Sequence, residues 1–121
     1  VSMTDIVDLG DFIMINGKRL MFLGDETLNP NLYERVKNAD YVMHEAFCLD
    51  SEESIFHAYQ KNHSTVKSVS KTMNELNVKN LILYHTEESH GIERKKLYIE
   101  EGKNNFNGNI YVPDEFEVIE L

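Results

Sequence analysis

Residues 81–88 read Leu-Ile-Leu-Tyr-His-Thr-Glu-Glu, and this stretch decides the fold class. Four consecutive apolar residues form a short run without alternation, which is typical of a strand buried on both faces. Strands of that kind occur in sheets covered by helices, with polar functional groups where the strands end. The change from Tyr84 to His85 therefore predicts both a central strand and a candidate site at its end.

The segments on either side of this strand favour helices. Before it, helical spacings of 3, 4 and 3 separate the apolar residues Val66, Val69, Met73 and Leu76. Ser64 is predicted to cap the start of this helix and Asn77 to end it. After the strand, we expect a helix over 93–101, a strand over 110–112 and an alternating last strand over 116–121.

The N-terminal side begins with a predicted hairpin. Asn16-Gly17 separates the apolar run 12–15 from the strand 18–23, and both turn positions of such a pair require positive φ. Asn29-Pro30 opens a short helix, a strand covers 41–43, and the acidic stretch 50–53 is interpreted as a surface loop. Strands alternating with helices predict layered α/β architecture in a single domain over 1–121.

Composition narrows the function classes. The chain has 121 residues and a net charge of −9, which disfavours tight binding to a polyanion unless metal ions or other protein hold it. The basic cluster 94–96 is short, and no apolar run approaches the length of a membrane span. One cysteine excludes an internal disulfide and favours a cytoplasmic location.

Polar clusters follow three predicted strands and precede one helix. Asp25, Glu45 and His85 follow strands, and His63 stands just before the helix that begins near Ser64. Carboxylates and imidazoles are ligand types for zinc and other divalent ions. Each residue alone is more often a turn, a cap or a surface group, and no His-x-His pair is present. The residues by themselves leave a metal site open.

Four motifs in order resemble ribonuclease Z, of the metallo-β-lactamase superfamily. They are residues 23–27 (Leu-Gly-Asp-Glu-Thr), 39–46 (Ala-Asp-Tyr-Val-Met-His-Glu-Ala), 62–65 (Asn-His-Ser-Thr) and 80–85 (Asn-Leu-Ile-Leu-Tyr-His). The resemblance covers about residues 10–89. It implies an α/β fold that is the C-terminal half of the superfamily's αββα sandwich.

The resemblance also implies the roles of individual residues. Asp25 matches the aspartate that bridges two divalent ions, zinc or manganese, and His85 matches a histidine ligand of one ion. His63 matches the histidine that protonates the leaving oxygen, and Glu45 matches the acid that orients it. The reaction implied is hydrolysis of a phosphodiester by a hydroxide that the two metals activate, as in removal of the 3′ trailer from precursor tRNA.

The resemblance also leads to expectations for Ser64, Thr65 and His44. Ser64 and Thr65 are expected to offer N–H donors at a helix N-terminus to the scissile phosphate. His44 is expected to have a structural role.

The chain also departs from the superfamily's pattern. The His-x-His-x-Asp-His motif is absent, so only part of the ligand set is present. We therefore expect a partial domain whose N-terminal half lies on the same or another chain, or a homodimer that covers an exposed apolar face. The substrate is expected to be RNA or another phosphodiester. A non-catalytic fragment and a binding module that retains the half-fold stay open as alternatives.

Overall fold

A computed structural model describes most of the chain. The described residues are 6–8, 13–15, 17–23, 30–61, 63–84, 86–87, 89–114 and 117–119.

The described elements form one mixed sheet of six strands whose spatial order follows the sequence. The strands are Ile6–Asp8 (β1), Ile13–Ile15 (β2), Lys18–Phe22 (β3), Tyr41–Glu45 (β4), Asn80–Tyr84 (β5) and Asn109–Tyr111 (β6). The first three strands pair in antiparallel fashion, and β3 to β6 pair in parallel. The carboxyl ends of β3, β4 and β5 therefore meet at one edge of the sheet, which confirms the α/β class.

The predicted hairpin is confirmed. Ile15 pairs with Lys18, and Gly17 has a φ of +78° in the turn between β2 and β3. Strand β1 was not predicted, because three residues beside acidic neighbours carry too little pattern to mark a strand.

Among the described residues, four α-helices lie in the connections between the parallel strands. They are Tyr33–Val36 (α1), Glu53–Phe56 (α2), Val66–Glu75 (α3) and Arg94–Lys103 (α4). Short 3-10 turns precede α1, α2 and α4, at Pro30–Leu32, Asp50–Glu52 and Gly91–Glu93. The acidic stretch 50–53 is thus helical rather than an open loop, which corrects the prediction for it.

Helix α3 follows its apolar spacing, but its first residue differs from the prediction. Thr65 is the N-cap in place of Ser64, and its hydroxyl and Ser68 form a reciprocal capping box. Asn77 adopts a φ of +57° just beyond the helix, as expected for a helix stop. The side chains of Val66 and Met73 are fully buried against the sheet.

The sheet has two unequal faces. Met21, Val42, Leu81 and Leu83 lie on the helix-covered face, in a large core with residues of α3 and α4. The opposite face carries a small cluster in which the described residues are Leu20, Tyr41, Met43, Ile82, Tyr111 and Ile119. Residues on both faces of β5 are buried, as its unbroken apolar run predicted.

The C-terminal prediction is only partly confirmed. The strand expected over 110–112 is present as β6, one residue earlier. Residues 117–119 are not in a strand, while 116, 120 and 121 lie outside the described residues. Ile119 instead packs onto the second face of the sheet. No helix in the described part of the chain has the length and apolar character to cross a membrane.

Candidate functional site

The segment 46–48 is the backbone centre of the candidate site. On one side, the N–H of Phe47 donates to the carbonyl of Ser64 at 2.8 Å, and Cys48 bridges Thr65 in parallel. On the other side, the N–H of Ala46 donates to Tyr84 at 3.0 Å. The N–H of Glu87 donates to the carbonyl of Phe47 at 2.7 Å. The sheet thus continues beyond its named strands and brings together segments distant in sequence.

Glu45 and His63 form a side-chain pair at this junction. The Nδ1 atom of His63 lies 3.5 Å from Oε2 of Glu45. The Glu45 side chain is fully buried, whereas one fifth of the His63 side chain is exposed. A buried carboxylate is costly unless it is paired and hydrogen-bonded, and the N–H of Ser64 also donates to its Oε1 at 2.6 Å. The two residues expected to act together are therefore in contact.

An aromatic stack fixes the orientation of the His63 ring. The rings of Phe47 and His63 are stacked at a centroid distance of 5.2 Å and an angle of 19°. The ring of Phe56 meets the ring of Phe47 edge-on at a centroid distance of 6.0 Å. The backbone N–H of His63 donates to the carbonyl oxygen of Ala58 at 2.8 Å. Because Nδ1 is turned toward Glu45, the other ring nitrogen, Nε2, is the atom directed away from the pair. Sequence reasoning missed Phe47, since a Phe after a strand carries no signal of stacking.

The N-terminus of α3 does not offer the amide donors that were expected for phosphate. The N–H of Ser64 is engaged by Glu45, and the N–H of Thr65 donates to Oγ of Ser68 at 3.0 Å. The N–H of Lys67 donates to Glu101 at 2.9 Å. These N–H donors already have acceptors within the chain. They are therefore not free to bind phosphate, although the sequence had led us to expect it. A substrate contact by Ser64 or Thr65 stays a prediction.

A polar network secures the connection between β4 and α3. The hydroxyl of Thr65 donates to Oδ1 of Asp50 at 3.0 Å, and the hydroxyl of Tyr59 donates to the same oxygen at 3.1 Å. Glu101 of α4 accepts from the N–H of Asp50 at 3.0 Å and also from α3. Burial raises the pKa of Glu101, although these two backbone donors oppose that shift. The network holds the loop that carries His63 against two helices.

His44 has the structural placement that was expected. It is almost completely buried, and its Nδ1 lies 2.7 Å from the carbonyl oxygen of Glu45. A carbonyl only accepts, so Nδ1 carries the proton. Burial lowers the pKa of His44, against the opposing effect of this hydrogen bond. The ring is therefore neutral near pH 7, with Nε2 unprotonated.

The two predicted metal ligands, Asp25 and His85, lie outside the described residues. Near them in sequence, Leu23 and Tyr84 are described at the same edge of the sheet. The N–H of Leu23 donates to Met43 at 3.0 Å, and the hydroxyl of Tyr84 donates to the carbonyl of Leu23. The chain leading to Asp25 and the strand leading to His85 are thus joined. Aspartate and histidine side chains have the donor chemistry of a divalent metal site.

A second group of ligand-type side chains surrounds His90. Glu52, Glu87 and His90 each place one ligand atom within 4.8 Å of the other two. The Glu87 side chain is only 8% exposed, so it is not a solvated surface group. No local sequence pattern predicts this group, because Glu52 is 38 residues from His90.

The only basic cluster is neutralised by neighbouring acids. Arg94 donates to Asp114 at 2.9 Å and to the hydroxyl of Thr86 at 3.1 Å. Lys95 lies 3.0 Å from Asp114 and 2.6 Å from Glu117. Two members of the cluster, Arg94 and Lys95, are therefore engaged within the chain.

Cys48 is buried and has no partner for thiol chemistry among the described residues. Burial, together with the negative field of Glu52 and Glu87, raises the pKa of the Cys48 thiol to about 12. The thiolate is the reactive form, so this residue is inert near pH 7.

Curated relatives support the resemblance. No family model matches the chain. Ribonuclease Z of Archaeoglobus fulgidus is 32% identical over 98 residues, which cover 81% of this chain and 31% of that protein. Ribonuclease Z of Leuconostoc mesenteroides is 30% identical over 118 residues, covering 96% of this chain and 37% of that protein. The chain thus spans about a third of the length of the curated relatives that it matches.

Solved structures show the fold. The metallo-β-lactamase fold protein YhfI from Bacillus subtilis matches with a TM-score of 0.70 at 18% identity, over 90% of this chain and 42% of that chain. The short form of human tRNase Z matches with a TM-score of 0.63 at 20% identity, over 90% of this chain and 35% of that chain. The chain is therefore similar to ribonuclease Z over most of its own length, and it has the metallo-β-lactamase fold over the part of that fold that it spans.

Proposed function

We propose that this chain is the C-terminal part of a metal-dependent phosphodiesterase in which His63, oriented by Glu45, protonates the leaving oxygen. The contact between the buried carboxylate and Nδ1 of His63 carries this proposal. With Nδ1 facing Glu45, the proton to be donated is held at Nε2. The Phe47 stack and the Ser64 amide keep the pair in one orientation.

The proposal assigns Asp25 and His85 as ligands of two divalent ions, zinc or manganese. Such ions activate water and neutralise charge on phosphate. Two protein ligands do not complete a catalytic metal site, for which three are usual. The remaining ligands are proposed to come from an N-terminal half with the His-x-His-x-Asp-His motif, so 1–121 is proposed to be one partial domain.

The second face of the sheet is proposed to receive that N-terminal half. Leu20, Met43 and Ile82 line an apolar groove there, and Phe22 of β3 is 54% exposed. The chain spans about a third of its relatives' length, so a large part of their fold is available to cover this face. A homodimer through the same face is the competing arrangement. The cytoplasm is the proposed location, because a single buried cysteine suits a reducing compartment.

RNA or another phosphodiester is the proposed substrate class. The net charge of −9 and the internal pairing of Arg94 and Lys95 disfavour backbone binding by this part of the protein. Contacts to a polyanionic substrate would therefore come from the metal ions and from the N-terminal half.

The test compares two histidine variants in the full-length protein that contains both halves. His63→Asn should reduce cleavage of an RNA substrate by about 10²- to 10⁴-fold, the usual contribution of a general acid, while metal content stays unchanged. His57→Asn is the control, because His57 is exposed and asparagine tolerates its φ of +52°. Full activity in His63→Asn, or loss of its metal, would contradict the assignment.

A non-catalytic module is the second candidate, favoured by the absence of the His-x-His-x-Asp-His motif from these 121 residues. Absence of cleavage by the full-length protein with zinc or manganese, toward RNA and toward simple phosphodiesters, would favour this candidate.

A further inference from the structure

The side chains around His90 converge in the manner of a metal site. Glu52 ends the 3-10 turn before α2, whereas Glu87 and His90 follow β5. The Nε2 atom of His90 lies 2.8 Å and 3.0 Å from the two carboxylate oxygens of Glu52, and 3.8 Å from Oε1 of Glu87. We propose that Glu52, Glu87 and His90 bind a divalent transition-metal ion such as Zn²⁺, separate from the ions assigned to Asp25 and His85.

The separations suit an ion of this class. Zinc lies about 2.0–2.2 Å from imidazole nitrogen and carboxylate oxygen, so ligand atoms around a tetrahedral ion are about 3.4 Å apart. The observed separations from Nε2 to Glu52 and Glu87 lie on either side of this value. All three ligand atoms lie within 4.8 Å of one another, so side-chain shifts of up to about an ångström would accommodate the ion. The imidazole favours zinc over magnesium and calcium, which prefer all-oxygen sites.

The ligand residues are held in place by contacts outside the group. The N–H of Glu87 donates to Phe47, and Ser89 donates to the Glu87 carboxylate through its N–H at 2.7 Å and its hydroxyl at 2.9 Å. The N–H of Glu52 donates to Leu49 at 3.0 Å. Little conformational entropy is therefore lost when the ligands meet an ion.

The charge around the group also favours a cation. The carboxylates of Glu52 and Glu87 contribute to raising the pKa of two buried neighbours, Cys48 and Tyr98, for which burial is the larger cause. A protonated His90 balances one of the two carboxylates, whereas a divalent ion balances both. The ion would join the segment after β5 to the turn before α2, and so brace the chain that follows His85.

A simple ion pair between protonated His90 and the carboxylates is the competing interpretation. The variant His90→Lys distinguishes the two interpretations, because lysine keeps the positive charge and removes the imidazole ligand. Under the ion-pair interpretation this variant behaves as the parent. Under the metal proposal it loses zinc binding while the metal-free protein retains its stability.

The experiment titrates Zn²⁺ into metal-free protein that carries Asp25→Asn and His85→Gln, which disable the other proposed site. We expect one equivalent to bind and to raise the thermal midpoint by about 5–10 °C when zinc is at 100 times its dissociation constant. His90→Lys and Glu52→Gln should each weaken zinc binding at least about 10-fold, and His57→Asn should leave it unchanged.

Two results would overturn the proposal: no stoichiometric zinc in the Asp25→Asn and His85→Gln protein, or unchanged affinity in both His90→Lys and Glu52→Gln. Glu52→Gln is nearly isosteric, so it serves if His90→Lys does not fold. Cobalt absorption gives a second readout, because it reports loss of the imidazole nitrogen directly. These measurements involve no cleavage, so they are independent of the proposed activity.

Discussion

Removal of the Thr65 hydroxyl tests how the site loop is attached to α3. In Thr65→Val the side chain keeps its volume, but the N–H of Ser68 loses the acceptor it has at 3.2 Å. Loss of an N-cap oxygen costs about 1 kcal/mol of stability. The hydrogen bond from the hydroxyl to Asp50, at 3.0 Å, contributes about another 1–2 kcal/mol because its acceptor is charged. The free energy of unfolding should therefore fall by about 2–3 kcal/mol.

The matched variant is Thr65→Ser, which keeps the oxygen and loses one buried methyl group. It should cost about 1 kcal/mol. Urea denaturation of both variants gives the two free energies, with an unchanged m-value as the sign that the native and unfolded states are comparable. If Thr65→Val costs no more than Thr65→Ser, the capping box and the Asp50 contact do not hold this loop, and the reasoning is refuted.

Three further predictions concern other parts of the fold. Because burial lowers the pKa of His44, the unfolded state binds more protons below about pH 6.5, and stability should fall there by up to about 1.4 kcal/mol per pH unit. His44→Asn should remove this part of the slope in denaturation at several pH values, and an identical slope would contradict it. Gly108→Ala places a Cβ 2.3 Å from the carbonyl oxygen of Lys79, so it should cost about 1–3 kcal/mol, and an unchanged thermal midpoint would be inconsistent with that contact. Cys48 should react with a thiol reagent only in denaturant, and rapid labelling of the native protein at pH 7 would contradict its burial.

Local pattern was enough to predict most elements of the sheet. The unbroken run 81–84, the Asn-Gly turn and the spacing of α3 each act over a few residues, and each was confirmed. The helical turns over 50–56 were missed because the contacts that stabilise them are distant: the N–H of Asp50 donates to Glu101, 51 residues away.

The candidate site, like the fold, was predicted only where short sequence patterns were sufficient. The order of the four motifs along the chain identified Glu45 and His63 as candidate site residues, and the structure places them in contact. The helix N-terminus was expected to present amides to phosphate, but their acceptors, including Glu45 and Glu101, come from other elements and could not be assigned from sequence. Asp25 and His85 stay predictions.

The dependence of cleavage on the leaving group tests the proton-donor role of His63 most directly. An alkyl leaving oxygen, as in RNA, needs a proton as the bond breaks, whereas an activated aryl leaving group such as p-nitrophenolate departs without one. His63→Asn in the full-length protein should therefore lose about 10²- to 10⁴-fold in kcat for RNA and less than about 10-fold for bis(p-nitrophenyl) phosphate. Equal losses for both substrates would contradict the account.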